Sequence, residues 1–152
     1  MSSADMPESV AKRLGYALKR AQHALRMSMD DALRPLALTT PQYAVLCAIE
    51  AEPGISNARL ARAAFVTAQT MQGVLSNLER DELLKRLADP THGRVLRSQL
   101  TPRGRQILAR AHTAVRSVED SMVESFGEQA AARMAVSLTK CAVDLMKKLE
   151  TA

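Results

Sequence analysis

The sequence predicts a mostly α-helical fold interrupted by one two-stranded hairpin, and three observations carry that expectation. Aromatic residues make up 3% of the 152 positions and Trp is absent, while Ala, Leu and Met abound, which suits packed helices better than a sandwich or barrel. Apolar residues recur at helical spacing along most of the chain. A single stretch, "DPTHGRVLRSQLTPRG" over residues 89–104, joins clustered turn residues to strand-like alternation. With 47% apolar residues, the chain can bury a core as one folded domain.

Pro7 and Glu8 open a first helix in which Val10, Leu14, Leu18, Ala21 and Leu25 recur at spacings of four and three, expected to run from about 8 to the low thirties. "RPLALTTPQ" ends it. Thr40 ahead of Pro41 is read as the cap of a second helix reaching about Glu50, since a proline in the first turn lacks only an N–H that would be unpaired anyway. "EAEPG" breaks that helix. Ser56 can cap a third, "NARLARAA", and after a turn at "FV" Thr67 can cap a fourth through about Arg80. Met71, Val74, Leu75 and Leu78 then form one apolar stripe, with Gln69, Gln72, Gly73 and Ser76 opposite. In "RVLRSQL", Leu96, Ser98 and Leu100 alternate with Val95, Arg97 and Gln99, as in a hairpin strand. Thr101 and Pro102 launch a fifth helix toward about residue 125, and Gly127 separates a sixth from about 128 to 149. In the sixth, Met134, Leu138, Cys141, Leu145 and Leu149 approach the 3.5-residue seam by which helices pair.

Net charge is +5, but its placement says more. Residues 52–110 hold 10 Lys+Arg against 5 Asp+Glu, whereas residues 1–51 hold 6 against 5 and residues 111–152 hold 5 against 6. The middle of the chain therefore carries the excess, as expected of a surface that meets phosphates; an ordinary solvated basic face is the plainer alternative. Cys47 and Cys141 lie far apart in apolar surroundings without C-x-x-C spacing, and are read as buried reduced thiols. No stretch is long and apolar enough for a membrane span and the start has no signal-peptide core, so a cytoplasmic protein without membrane contact is expected. His23, His92 and His112 have no metal-ligand spacing, and neither a nucleophile signature nor a glycine-rich phosphate loop occurs. No enzyme activity, metal or cofactor is expected.

Helix, helix, turn, helix and hairpin in that order make a winged helix-turn-helix, with the hairpin as the wing. A helix fills a major groove, whereas the narrow minor groove, where negative potential concentrates, takes a thin ribbon tipped with arginine. Arg94 stands at that tip.

From about 39 to 104 the chain resembles the MarR family of transcriptional regulators, through "LTTPQYAVLCAI", "RLARAAFVTAQTMQGVLSNLERDELLKR" and "DPTHGRVLRSQLTPRG" in that order. The resemblance implies a homodimer whose first, fifth and sixth helices interleave, a recognition helix at 67–80 and a wing at 83–100. It divides the chain into an N-terminal dimerisation helix (1–38), a winged helix-turn-helix DNA-binding region (39–104) and C-terminal dimerisation helices (105–152), together one compact unit. It also implies a pocket for small phenolic or lipophilic effectors that lower operator affinity. Three positions depart from the family pattern. His92 stands where an Asp usually holds the wing arginine, which leaves Arg94 without that salt bridge and makes His92 a candidate pH-sensitive residue. Gly73 replaces an arginine of the recognition helix, and Glu82 replaces the glycine that follows it, so a different C-cap is expected there.

In the recognition helix, Gln69 and Gln72 are suited to adenine edges, while Thr67, Thr70 and Asn77 suit backbone phosphates. Ser56, Lys85, Arg86, His92, Arg94 and Arg97 complete the candidate DNA-binding set, and Arg103 is a further candidate phosphate neutraliser; a plain polar surface is the alternative for each. His23, Met27, Tyr43 and His112 are the candidate effector-binding residues, each with a structural alternative. The partners expected are thus double-stranded DNA with a pseudo-palindromic operator, a second copy of the chain, and a small effector. Two other functions compete: a thiol-based oxidation sensor using Cys47 or Cys141, and a winged-helix protein-interaction module without DNA binding.

Overall fold

The computed structural model describes residues 6–151. In chain order the elements are α1 (Glu8–Ala11), α2 (Leu14–Leu33), α3 (Thr40–Ala51), α4 (Asn57–Ala63), α5 (Ala68–Arg80), β1 (Leu84–Ala88), β2 (Leu96–Leu100), α6 (Pro102–Phe126) and α7 (Glu128–Glu150). The strands pair antiparallel with Leu84 opposite Leu100 and Ala88 opposite Leu96. The mostly α architecture with a two-stranded wing is the one the sequence predicts.

Two boundaries differ. The first helix breaks at Lys12–Arg13, where Arg13 is extended, so α1 and α2 replace one long element. No residue of α1 is buried, Leu14 is exposed and Gly15 follows, so neither packing nor propensity holds that segment helical. The cap of α3 is Thr39 rather than Thr40. Thr39 accepts from the Gln42 N–H while the Gln42 side chain accepts from the Thr39 N–H at 2.9 Å, a reciprocal capping box. The Thr40 hydroxyl is engaged elsewhere, donating to Asp30 at 2.6 Å and tying the end of α2 to the start of α3. That hydroxyl is the main reason the Asp30 carboxyl lies below its ordinary value.

Leu33, Val45, Leu46, Ile49, Leu60, Met71, Leu75, Leu78, Leu84 and Leu108 form the centre of a single core. Each such side chain, fully withdrawn from water, contributes about 1.5–3 kcal/mol. From α5 the core takes Met71, Leu75 and Leu78, with Val74 half-buried beside them. That stripe fixes the rotation of the helix about its axis.

The chain divides into two compact units, Met1–Val115 and Arg116–Ala152. The division falls inside α6, where Leu108, Ala111 and Val115 are buried in the first unit's core and no later residue of that helix is buried. In the second unit α7 has no buried residue, and Met134, Leu138, Leu145 and Leu149 are all exposed.

Past the end of α5, Glu82 takes the left-handed conformation with φ +59°, the conformation for which glycine is usual. Glu82 N–H donates to Glu79 C=O at 3.0 Å and Leu83 N–H to Leu78 C=O at 2.9 Å. The expectation of a different C-cap is therefore corrected: it is the glycine-type Schellman turn, built without glycine. Leu83 and Leu78 are buried on one side, and the Thr101 hydroxyl donates to the Glu82 carbonyl at 2.6 Å on the other, so the turn is held despite the strain. Thr101 also caps α6, accepting from the Gly104 N–H at 2.9 Å. There the first turn of α6 crosses the Leu83 backbone so closely that a Cβ on Gly104 would lie 1.9 Å from the Leu83 carbonyl oxygen.

Replacing Glu82 by Gly is expected to raise stability in urea unfolding by about 0.5–1 kcal/mol, since glycine has no Cβ to strain a left-handed turn. Gly104→Ala is expected to lower it by about 1–3 kcal/mol in the same assay through overpacking.

Candidate nucleic-acid interface

The interface is built on α5. Thr67 caps it, its hydroxyl oxygen accepting from the Thr70 N–H at 3.1 Å and its hydroxyl donating to the Thr70 hydroxyl at 3.0 Å. Gln69, Thr70, Gln72, Gly73, Ser76 and Asn77 are all exposed, opposite the buried stripe. A Cβ on Gly73 would meet nothing, so this face is open at its middle. The structure thus gathers Thr67, Gln69, Thr70, Gln72 and Asn77 on one polar surface. Ser56 is exposed as the cap of α4, where its hydroxyl oxygen accepts from the Arg59 N–H. Its position is that of a cap, as the sequence predicts.

The wing is braced at two places. Arg86 on β1 donates through Nε (2.9 Å) and Nη2 (2.6 Å) to Glu79 of α5, with the guanidinium largely buried. Arg97 on β2 donates to the buried Asp89 carboxylate and, through Nη1, to the Gly54 carbonyl at 2.8 Å. Gly54 in turn donates its N–H to the Ser98 carbonyl at 3.2 Å, so β2 is stitched to the loop between α3 and α4. Gly54 sits at φ +82°, and a Cβ there would press on the Arg97 side chain at 3.2 Å. Arg86 and Arg97 are therefore engaged within the chain: the Arg86 ion pair with Glu79 and the Arg97 hydrogen bond to the Gly54 carbonyl hold the wing to the helix-turn-helix, while the Arg97–Asp89 pair braces the wing internally.

Asp89 does more than pair Arg97. Its carboxylate also accepts from the Thr91 N–H at 2.7 Å and the His92 N–H at 3.1 Å, closing the turn that leads to the wing tip. The Arg97 hydrogen bond first, then those two N–H groups, pull its carboxyl down to about 2. The wing thus has its own Asp–Arg pair, but it braces the base through Arg97. Arg94 at the tip is exposed and, among the described residues, forms no ion pair or hydrogen bond. His92 is exposed too, its backbone carbonyl accepting from the Val95 N–H at 2.8 Å.

Four of the five carboxylates in residues 52–110 are ion-paired: Glu52 with Arg59, Glu79 with Arg86, Asp81 with Arg80 and Asp89 with Arg97. Glu82 is the fifth. Against it stand Arg62, Lys85, Arg94, Arg103 and Arg110, which have no carboxylate partner among the described residues, and Arg105, which donates to the Leu100 carbonyl at 3.1 Å, so most of the positive excess is available to an outside anion.

A second cluster joins α3 to α6 within the first unit. The His112 ring lies edge-to-face with Tyr43, centroids 5.7 Å apart. Nε2 faces the Glu50 carboxylate at 3.0 Å and Nδ1 faces the Tyr43 hydroxyl at 3.0 Å. Because a carboxylate only accepts, Nε2 is the donor to Glu50, and Nδ1 is left to hydrogen-bond the Tyr43 hydroxyl. The structure brings Tyr43 and His112 together; His23 and Met27 are exposed on α2, and among the described residues no hydrogen bond or ring contact joins them to that pair. Cys47 is half-buried one turn from Tyr43, and burial pushes its thiol up, away from the reactive thiolate. Cys141, expected to be buried, is exposed because α7 has no buried residue, and its neighbour Lys140 is paired with Asp144 at 2.6 Å.

Asp89, Gly54, Glu79, Glu50 and Phe65 were not singled out by sequence reasoning. Asp89 had a signal, an Asp before Pro at a turn, but its partner eight residues on did not. Among the described residues no cluster of three or more His, Cys, Asp or Glu could hold a metal, and no helix is long and apolar enough to cross a membrane.

A polar helix face beside an arginine-tipped, braced ribbon defines a winged helix-turn-helix of the kind that meets duplex nucleic acid. The sequence profile of the MarR family matches residues 38–95. Over 106 residues the chain is 42% identical to the HTH-type transcriptional repressor Rv2887 of Mycobacterium tuberculosis, covering 70% of this chain and 76% of that protein. The transcriptional repressor CouR, solved on a 23-mer DNA duplex, superposes with a TM-score of 0.83 at 30% identity, covering 89% of this chain and 96% of CouR. Rv2887 solved with salicylic acid superposes with a TM-score of 0.71 at 36% identity, covering 91% and 98%. This chain belongs to the MarR family.

The depressed Asp89 carboxyl sets a pH window. Its stabilisation of the wing is complete above the ordinary value of 3.8 and is lost as pH falls through about 2. Wild-type stability is expected to fall more steeply across that window than that of Asp89→Asn, which has no proton to take up; thermal unfolding followed as a function of pH checks it.

Proposed function

We infer that the protein is a homodimeric, sequence-specific DNA-binding transcriptional repressor whose hold on its operator is released by a small phenolic ligand. The observation that carries this reading is the disposition of α5, apolar stripe locked in the core and polar face fully exposed, beside an unpaired Arg94 on a braced wing. Gln69 and Gln72 read base edges, Thr67, Thr70 and Asn77 hold phosphates, and Arg94 enters the minor groove. Lys85 and Arg103, which have no carboxylate partner among the described residues, supply positive charge to the backbone.

A two-fold dimer places two such helices in successive major grooves, so the operator is a pseudo-palindrome with half-sites about 10 bp apart. The exposed Leu14 and Leu18 of α2 and the exposed apolar row of α7 are the surfaces a second copy covers. As a repressor the protein works in the cytoplasm, where the chromosome lies. CouR on DNA and Rv2887 with salicylic acid support the two halves of this reading, operator and phenolic effector. For the effector, the Tyr43–His112 pair offers an aromatic edge, a phenol and an imidazole, groups that bond a ligand's own hydroxyl or carboxylate.

Gel retardation on the DNA upstream of its own gene, at two salt concentrations, tests the function: specific retention is expected, and failure to prefer that DNA over random sequence overturns it. With about eight phosphate contacts, log K should fall against log salt with a slope near −7. Arg94→Ala should weaken specific binding by about 1–3 kcal/mol, and unchanged affinity removes the wing tip from the mechanism. Tyr43→Phe should bind the operator normally but need more salicylate for release, as read by titrating the retarded complex.

A further inference from the structure

Phe65 is the most exposed of the large apolar side chains among the described residues, at 95%. It is also left-handed, with φ +55°, a conformation a bulky aromatic rarely takes. The turn it occupies is closed on both sides: Phe65 N–H donates to the Arg62 carbonyl at 3.2 Å, and Val66 N–H donates to the Ala61 carbonyl at 3.0 Å. This is the Schellman ending of α4, in which the following residue goes inward, and Val66 duly packs against the core. Position 65 is thereby held outward whatever side chain it bears. Folding gains nothing from a phenylalanine here and would gain from glycine. A ring placed in water, on a strained backbone, calls for a partner outside the chain.

Its place in the fold says which partner. Phe65 is two residues ahead of Thr67, the cap of α5, so its Cα lies within about 7 Å of the Cα of that cap. The amino-terminal end of such a helix is the end that meets base edges. Beside it stand the exposed Gln69, Thr70 and Gln72, which offer hydrogen bonds and, in the Thr70 methyl, only a small apolar surface. In a major groove the one apolar feature on a base edge is the thymine 5-methyl group, and phenylalanine is among the residues that pack on it.

We propose that Phe65 is a specificity-determining residue, whose ring packs against the methyl group of a thymine at the edge of each half-site. This rests on the DNA-binding function inferred above. The contact adds a broad aromatic surface to a face that otherwise offers hydrogen bonds and small methyl groups.

The test uses the full-length protein and a duplex of about 30 bp footprinted from its upstream DNA. Each thymine is replaced in turn by deoxyuridine, which removes the methyl group alone. Wild type is expected to lose about 3- to 10-fold in affinity at one symmetry-related pair of positions. Phe65→Gly should lose a similar factor on the unmodified duplex and be indifferent to deoxyuridine at that pair. Its melting temperature should equal or exceed wild type, since the left-handed strain is relieved, which separates a lost contact from a lost fold. Phe65→Gly binding the unmodified duplex as wild type does, or both proteins responding alike to deoxyuridine at every position, overturns the proposal. Wild type showing no preference for the upstream DNA overturns the DNA-binding function itself, and this inference with it.

Discussion

Everything on the outer surface of α5 depends on what its inner surface does. A helix has no intrinsic reason to present one particular side, and polar residues at regular spacing on an unanchored helix would point everywhere in turn. Burial of Met71, Leu75 and Leu78 removes that freedom, since turning the helix by one residue would bring about 100° of polar surface into the core and expel leucine from it. The exposed glutamines and threonines are thus aimed by hydrophobic burial elsewhere on the same helix. The caps at Thr67 and at the Glu82 turn then fix where the helix begins and ends.

The wing needs a different kind of support. A two-stranded ribbon is marginal in water and buries little by itself. Here it is held by charge-assisted hydrogen bonds on both strands, Arg86 to Glu79 and Arg97 to Asp89 and Gly54. The arginines that brace the wing cannot also be its free cations. Positive charge is therefore divided between internal struts and the unpaired Lys85, Arg94 and Arg103. The division explains how a ribbon can be firm at its base and still present an uncommitted guanidinium at its tip.

The left-handed residues tell a related story. Phe65 and Glu82 both stand at helix ends whose hydrogen bonds favour glycine, and neither is glycine. At Glu82 the surroundings compensate through buried Leu78 and Leu83 and the Thr101 hydroxyl. At Phe65 the turn is likewise closed by hydrogen bonds and an inward Val66, but the ring itself is left in water. The same backbone strain thus reads as tolerated in one place and as informative in the other.

Periodicity and caps made the helices, the hairpin and the apolar stripe of α5 legible from the sequence, because those signals act between residues three or four apart. Ser56, Thr67, Thr101 and Pro102 announce helix starts for the same local reason. The break at Lys12–Arg13 and the shift of the α3 cap to Thr39 were not legible, the first because it reflects packing that is absent and the second because Asp30, ten residues earlier, engages Thr40. The pairings of the site were hidden more deeply. Arg97 and Asp89 are eight residues apart, Arg97 and Gly54 are 43 apart, and Tyr43 and His112 are 69 apart. Composition and local pattern determined which polar and cationic residues could serve a nucleic acid. Only the folded chain decided which cations are consumed as struts, which remain free, and where an aromatic ring is left in water, because those outcomes depend on distances through space that no spacing along the chain encodes.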